Sequence, residues 1–382
     1  MQVNYAGLTL RNPIIAASAG TTRDAEQAAR CEENGYGAVV LKSVQEEELM
    51  RYNPFPRFRV IRSGIPGFSS TTFYSYEQAY SGDIGQYAET VRRSKRGIGI
   101  PLIASINCIT PERWPEYALA CEQAGADALE IVPSCPSGML IRDPSNDIFT
   151  ISLNALRACK NAVKIPVVPK LTSQVANVLQ YAEALGSAGA DGLTMINRST
   201  GIDIDVETMA PILHGGFAGH GGPWALQSTL RWIIAAYPLV KAPISATGGV
   251  TCGEDVVKCL LAGAQTVQVA AVMYLKGYGY VRQMLAEVEA YMERKGLQSL
   301  CEIIGAGSRN MKTMRQYDRE TRYYARADGG ACSRCGLCAP VCIYGALNFD
   351  KAAGASIDAA RCDGCGLCAS VCRQGAISMQ AK

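Results

Sequence analysis

Eight cysteines crowd the last 51 residues of this 382-residue chain, and their spacing leaves that region few folds to choose from. They form two runs, Cys332-Ser-Arg-Cys335-Gly-Leu-Cys338-Ala-Pro-Val-Cys342 and Cys362-Asp-Gly-Cys365-Gly-Leu-Cys368-Ala-Ser-Val-Cys372, both of the form C-x2-C-x2-C-x3-C. So tight a run wraps three thiolates around one 4Fe-4S cubane and sends the fourth, at the start of a helix, to the other cluster. Cys332, Cys335, Cys338 and Cys372 are therefore expected on one cluster, and Cys362, Cys365, Cys368 and Cys342 on the second. A zinc site would instead pair two well-separated Cys-x-x-Cys knuckles. The segments CGLCAPVCIYGALNF and CGLCASVCRQGAISM are two copies of one unit, each ending in a short β-like stretch. Gly336 and Gly366 let backbone N–H groups approach the inorganic sulfides.

The rest of the composition points the same way. The opening, MQVNYAGLTLRNP, has no charged segment followed by an apolar one, so an export signal is not expected. In such a chain, clustered cysteines favour metal ligation over disulfides. The net charge of +3 gives no support for a nucleic-acid partner. No apolar run approaches the ~20 residues that span a bilayer, so a cytoplasmic protein without a membrane partner is expected. The tail resembles bacterial two-cluster ferredoxins, except that Ile343 and Arg373 stand where that family has proline after the fourth cysteine.

Upstream, apolar β-rich runs alternate with amphipathic stretches such as Pro111–Ala124 and Ala176–Leu185. The strand candidates are Ile14–Ser18, Ala38–Lys42, Leu102–Asn107, Ala128–Val132, Val167–Leu171, Gly192–Asn197, Ile244–Thr247 and Thr266–Ala270. Three segments, AGADAL, AGADGL and AGAQTV, turn from a helix into the next strand. Eight strands with intervening helices predict an α/β fold, a (β/α)8 TIM barrel over residues 1–310. Residues 311–328 read as a linker, and 329–382 as a C-terminal α+β ferredoxin domain with two 4Fe-4S clusters. An open doubly wound sheet is the alternative topology. No G-x-G-x-x-G follows a first strand, so a Rossmann domain has no support.

In such barrels chemistry gathers at the C-terminal strand ends. Those ends carry Ser18, Lys42, Asn107, Ser134-Cys135, Lys170, Asn197, Thr247-Gly248-Gly249 and Ala270. Two lysines ending apolar strands favour an anionic ligand or an electron-rich ring. The Thr247-Gly-Gly turn suits a phosphate, although alone it is a weak signal.

The motifs NPIIAASAG, VVLKS, SCPSGM, VVPKLT, INRSTG, GGFAG and SATGGV occur in the order seen in class 1 dihydroorotate dehydrogenases. The chain also resembles the C-terminal half of dihydropyrimidine dehydrogenase, which joins an FMN barrel to a two-cluster tail. The resemblance implies FMN and two 4Fe-4S clusters as cofactors. It places Ala17 and Ser18 along the FMN, Lys42 and Lys170 at its ring, Asn197 beside it, and Gly219, Thr247, Gly248 and Gly249 at its ribityl phosphate. Cys135, with Lys42, becomes catalytic: the thiol exchanges a proton with substrate carbon while the flavin exchanges a hydride. Ser137–Asn146 matches a mobile lid. The bland reading of Cys135 is a buried inert thiol. His214 and His220 flank a glycine-rich loop with no role decided.

The match is incomplete where substrate is expected. Val132 stands where pyrimidine-binding relatives have an asparagine, and Thr72-Phe73-Tyr74-Ser75 replaces another; Asn197 survives, followed by Arg198. An unpaired polar group costs ~1–3 kcal/mol, so a carboxylate or phenolic substrate held by Asn197, Arg198 and Tyr74, or by Arg142, is an alternative to a pyrimidine. The expected function is reduction or oxidation of a C=C bond conjugated to a carbonyl, with electrons passing between clusters and FMN. The alternative is an electron-transfer subunit without its own substrate. The resemblance also implies a homodimer, and an NAD(P)H-oxidising flavoprotein subunit or a ferredoxin as electron partner.

Overall fold

The computed structural model describes residues 1–46, 57–64, 70–75, 80, 82–134, 147–212 and 217–382. The chain divides into two units, Met1–Met311 and Lys312–Lys382.

In the first unit, eight strands lie parallel: β1 (Ile14–Ala16), β2 (Ala38–Val40), β3 (Leu102–Asn107), β4 (Ala128–Ile131), β5 (Val167–Pro169), β6 (Leu193–Met195), β7 (Ile244–Thr247) and β8 (Ala264–Val269). Each pairs with its sequence neighbour from β1 to β5 and from β6 to β8, and β8 pairs back onto β1. A parallel bridge between Lys170 and Thr194, with Leu171 N–H donating to Thr194 O at 2.9 Å, joins β5 to β6 and closes the ring. The sheet is thus a barrel and not the open alternative. Its strands are apolar and buried almost throughout, as parallel strands covered on both faces require.

Helices α1 (Ala25–Asn34), α2 (Ile84–Gly97), α3 (Arg113–Gln123), α4 (Ile148–Ala162), α5 (Val178–Ser187), α6 (Leu226–Ala236) and α7 (Gly253–Ala262) follow the first seven strands. Local chemistry fixes their starts: Asp24, Asp83, Asp147 and Asn177 each accept an N–H from the first turn. The Asn177 cap explains why α5 begins two residues later than its apolar pattern suggests. Along α5, Val178, Tyr181, Ala182 and Leu185 are buried. This is the i, i+3, i+4, i+7 stripe, and a buried leucine contributes ~1.5–3 kcal/mol.

The helix-to-strand turns do more than reverse the chain. Asp127, after the first Ala-Gly-Ala, accepts the Leu102 N–H at the start of β3 and the Lys95 ammonium, both at 2.7 Å. Asp191, after the second, accepts the Val167 N–H at the start of β5 and the Lys160 ammonium, again both at 2.7 Å. Gln265, after the third, accepts the Ile244 N–H at the start of β7 at 2.7 Å. One polar side chain per turn thus staples the N-terminal end of the preceding strand.

The features outside the eightfold pattern include two antiparallel sheets. An N-terminal hairpin, Val3–Tyr5 with Leu8–Leu10, buries Tyr5 against Gly192. A four-stranded antiparallel sheet follows the order Ser199–Gly201, Ala218–Gly221, Ser70–Ser75, Phe58–Ser63.

In the second unit, Tyr323–Ala327 pairs with Ile377–Ala381, and Leu347–Asp350 pairs with Gly354–Ile357, both antiparallel. Residues 323–327 fall inside the stretch read as linker, yet they form a strand of this unit. A small core of Ala325, Cys338, Cys368 and Ile377 holds it together. Each repeat ends in a strand, Leu347–Asp350 and Ile377–Ala381, where the β-like stretches were expected.

Candidate active site and cluster sites

The strand ends of the first unit converge on a cavity of about 380 Å³. Ala17, Ser18, Lys42, Lys170, Asn197, Arg198, Thr247, Gly248 and Gly249 line it, as do Asn107 and Ala270. Strand geometry brings these residues together from positions as distant in sequence as Ala17 and Ala270. The β7 turn holds Gly248 and Gly249 at φ 110° and 81°. Only glycine adopts this conformation without strain, and a Cβ on Gly249 would collide with the backbone of Leu226.

Beneath the lysine lies a residue that the sequence reading passed over. Glu130, in the middle of β4, accepts from Lys170 Nζ at 3.3 Å, Thr194 Oγ1 at 3.0 Å and Gln268 Nε2 at 2.9 Å. The side chains of Lys170 and Glu130 are only 7% and 1% exposed. A carboxylate so buried needs partners, and here the barrel supplies three. The available signal was a lone acidic residue inside the apolar run Ala128–Val132. A second hydroxyl chain runs from Ser18 through Ser43 to Ser105, with Oγ–Oγ distances of 2.9 and 2.7 Å.

The antiparallel sheet supplies another side of the cavity. Thr71, Phe73 and Ser75 line it. Side chains of a strand alternate between faces, so the intervening Tyr74 is not among the lining residues. It is buried at 3% exposure, and its hydroxyl donates to Gly201 O at 2.7 Å. Tyr74, expected at the substrate, is thus turned away from the cavity, and Phe73 and Ser75 line it instead. Gly219, expected at the phosphate, is not among the lining residues. It sits in the strand Ala218–Gly221, paired with Ser75, while Gly221 and Gly222 reach the cavity. Its role is close approach: a Cβ there would collide with the Arg198 guanidinium.

Two fit tests bear on FMN. Asn107 Nδ2 and Gln268 Oε1 are buried and lack hydrogen-bond partners, yet both residues line the cavity. An unpaired buried polar atom costs ~1–3 kcal/mol, which a polar ligand recovers. The volume and mixed lining also suit a cofactor-sized group. Cys135, Arg142, the expected lid 137–146 and His214 lie outside the described residues. His220 is described: it stacks on Trp224 at 5.4 Å, and burial and then the Arg198 guanidinium push its imidazole below the ordinary value.

The second unit has two small cavities. One is lined by Cys332, Cys335, Cys338 and Cys372, the other by Cys342, Cys362, Cys365 and Cys368. This is the crossed grouping expected from the spacing. Gly336 and Gly366 line one cavity each. Among the described residues no group of cysteine, histidine or carboxylate closes tightly enough for a single metal ion. Four cysteines around each cavity, spaced C-x2-C-x2-C-x3-C in sequence, suit a cubane.

Comparison with known proteins agrees with this geometry. The family model "Dihydroorotate dehydrogenase" matches residues 1–292, and the model "4Fe-4S dicluster domain" matches residues 331–376. The chain is similar to the dihydroorotate dehydrogenase B (NAD(+)) catalytic subunit of Pyrococcus abyssi, with 31% identity over 316 residues, 80% of this chain and 98% of the relative. It is 30% identical to the catalytic subunit of the same name from Methanothermobacter thermautotrophicus, over 80% of this chain and 97% of that one. It is also 28% identical to the NAD-dependent dihydropyrimidine dehydrogenase subunit PreA of Escherichia coli, over 90% of this chain and 86% of the relative. With an FMN barrel and a two-cluster tail in one polypeptide, the chain belongs to the dihydroorotate dehydrogenase family and is a flavin and iron–sulfur oxidoreductase of the dihydroorotate and dihydropyrimidine dehydrogenase type.

Proposed function

We propose that the protein reduces or oxidises a C=C bond conjugated to a carbonyl, exchanging electrons through its cysteine-rich tail. The cavity carries this reading: it sets two lysines and a glycine turn around one space, in a chain that also has two four-cysteine cavities. When bound, FMN supplies hydride exchange and the clusters supply one-electron transfer.

The chain's own residues hold and orient. Gly248 and Gly249, with Thr247, offer backbone N–H groups for a phosphate. Ala17 and Ser18 flank the cofactor. Lys170, fixed by Glu130, and Lys42 present positive charge to its ring, and Asn107 Nδ2 offers an uncommitted donor. Asn197 and Arg198 face the substrate. Val132 and Phe73 keep that part of the lining apolar. Cys135 Sγ gives or takes the proton at substrate carbon; Ser134, which precedes it, is buried. The relatives' names, as catalytic subunits or NAD-dependent enzymes, support an NAD(P)H-oxidising flavoprotein subunit or a ferredoxin as partner. A homodimer and a cytoplasmic location complete the reading.

The test is anaerobic turnover with reduced ferredoxin or dithionite and a panel of conjugated carbonyl compounds. Cys135→Ala should lower the rate by ~10²-fold or more, and unchanged turnover would refute the acid–base role. Val132 and the stretch Thr72-Phe73-Tyr74-Ser75, which replace asparagines expected of a pyrimidine site, favour a second reading as an electron-transfer subunit. On that reading only a protein partner reoxidises the flavin, so oxidation by any small molecule at catalytic rates excludes it.

A further inference from the structure

The part of the cavity bordered by the strand Ser70–Ser75 is built around one guanidinium. Arg198 Nη1 donates to Ser75 Oγ in a short hydrogen bond and lies 3.4 Å from Ser75 O. The Arg198 N–H donates to Asn197 Oδ1 at 3.0 Å. Gly219 leaves open the space that the guanidinium fills. Ser75 thus holds the guanidinium and Gly219 makes room for it at the cavity wall, while Asn197 fixes the Arg198 backbone. Among the described residues no carboxylate lies within ion-pair distance of it. Lys170, by contrast, has its charge offset by Glu130.

The uncommitted amide atoms of Asn107 and Gln268 fall to the cofactor, and the wall beside Arg198 adds few groups that recognise an amide ring. Val132 offers no hydrogen bond, and Phe73 presents a ring. The Ser75 hydroxyl is committed to Arg198 and the Gln268 NH2 to Glu130 and Thr194. A pyrimidine presents alternating N–H and C=O groups around its edge, and each one left unpaired weakens binding. A guanidinium fork with free donors matches a carboxylate instead.

We propose that Arg198 binds the carboxylate of a conjugated unsaturated acid whose other end is apolar or aromatic, and that such acids, not pyrimidines, are the substrate class. Ser75 and Gly219 are the positioning residues for that guanidinium. The inference rests on the reading of this cavity as a flavin-linked C=C site.

The test is anaerobic titration of the oxidised holoenzyme, followed by the shift in flavin absorbance. The probes are trans-cinnamate, its neutral isostere cinnamamide, and uracil. A charge-assisted pair predicts that cinnamate binds about ten- to a hundredfold more tightly than cinnamamide. Arg198→Gln should erase that gap, Arg198→Lys should keep part of it, and Ser75→Ala should narrow it. The proposal is overturned if cinnamamide or uracil binds as tightly as cinnamate, or if Arg198→Gln preserves the gap. It is also overturned if Arg198→Gln loses FMN but still binds riboflavin, because the arginine then serves the cofactor phosphate. Should Arg198→Gln fail to fold, the wild-type ranking and Ser75→Ala decide. A wild-type protein that holds FMN and reduces uracil while ignoring cinnamate sinks this inference alone. A protein that binds no FMN sinks the flavin reading with it.

Discussion

Replacing Lys170 by methionine tests whether the lysine and Glu130 form one unit. The substitution keeps the length of the side chain and removes its charge. At 3.3 Å and an effective dielectric of ~20, the Lys170–Glu130 attraction is about 5 kcal/mol. Its loss leaves a carboxylate with 1% exposure whose remaining hydrogen bonds among the described residues come from Thr194 and Gln268. Removing one partner of a buried pair costs ~3–5 kcal/mol, because the remaining charge stays desolvated. Glu130→Gln added to Lys170→Met removes that charge and should recover at least ~1 kcal/mol, a coupling typical of residues in one network. Urea unfolding followed by tryptophan fluorescence suits the measurement, since Trp114, Trp224 and Trp232 all lie in the barrel unit and none in the tail. The protein should first be stripped of FMN, so that lost cofactor binding does not enter the result. A Lys170→Met loss below ~1 kcal/mol, or strict additivity in the double variant, refutes the coupling.

Crossed ligation predicts that Cys372→Ser removes the cluster bounded by Cys332, Cys335 and Cys338 although it changes the second motif. Iron should fall from about eight to about four per chain, and loss of all iron or none counts against the assignment. Burial pushes the Cys31 and Cys159 thiols to about 12 and those of Cys121 and Cys259 higher still, whereas Cys301 is exposed. Alkylation of the folded protein near pH 8 should therefore label Cys301 and spare those four, as peptide mass mapping will show. His220, with its imidazole held below the ordinary value, binds fewer protons folded than unfolded. Its contribution is present above the unfolded value of ~6.5 and is lost as pH falls below it. Stability should decline over that range in the wild type and less so in His220→Asn; equal slopes refute the assignment.

The barrel was legible because each strand announces itself locally. Leu102–Asn107 and Ile244–Thr247 carry an apolar run that ends where the chain turns, and the structure places them as expected. The cysteine grouping was legible because spacing alone dictates reach. The antiparallel sheet was not, since Ser70–Ser75 finds its partner some 145 residues later, in Ala218–Gly221. Nothing local encodes that pairing or its register. A one-residue difference in register decides whether Tyr74 or its neighbours Phe73 and Ser75 face the cavity, and the family resemblance that pointed to Tyr74 carries no register. Glu130 escaped notice for a different reason. Its neighbours satisfy a strand pattern, and its partners come from three other strands.

The turn side chains Asp127, Asp191 and Gln265 clip β3, β5 and β7 at the end remote from the ligand cavity. Each clip ties the entrance of one strand to the turn that leads into the next, so every second unit is latched from below. Mechanical integrity is thereby assigned to one rim and chemistry to the other. The loops of the reactive rim are left free to vary without loosening the strand entrances, because none of the three clips reaches them.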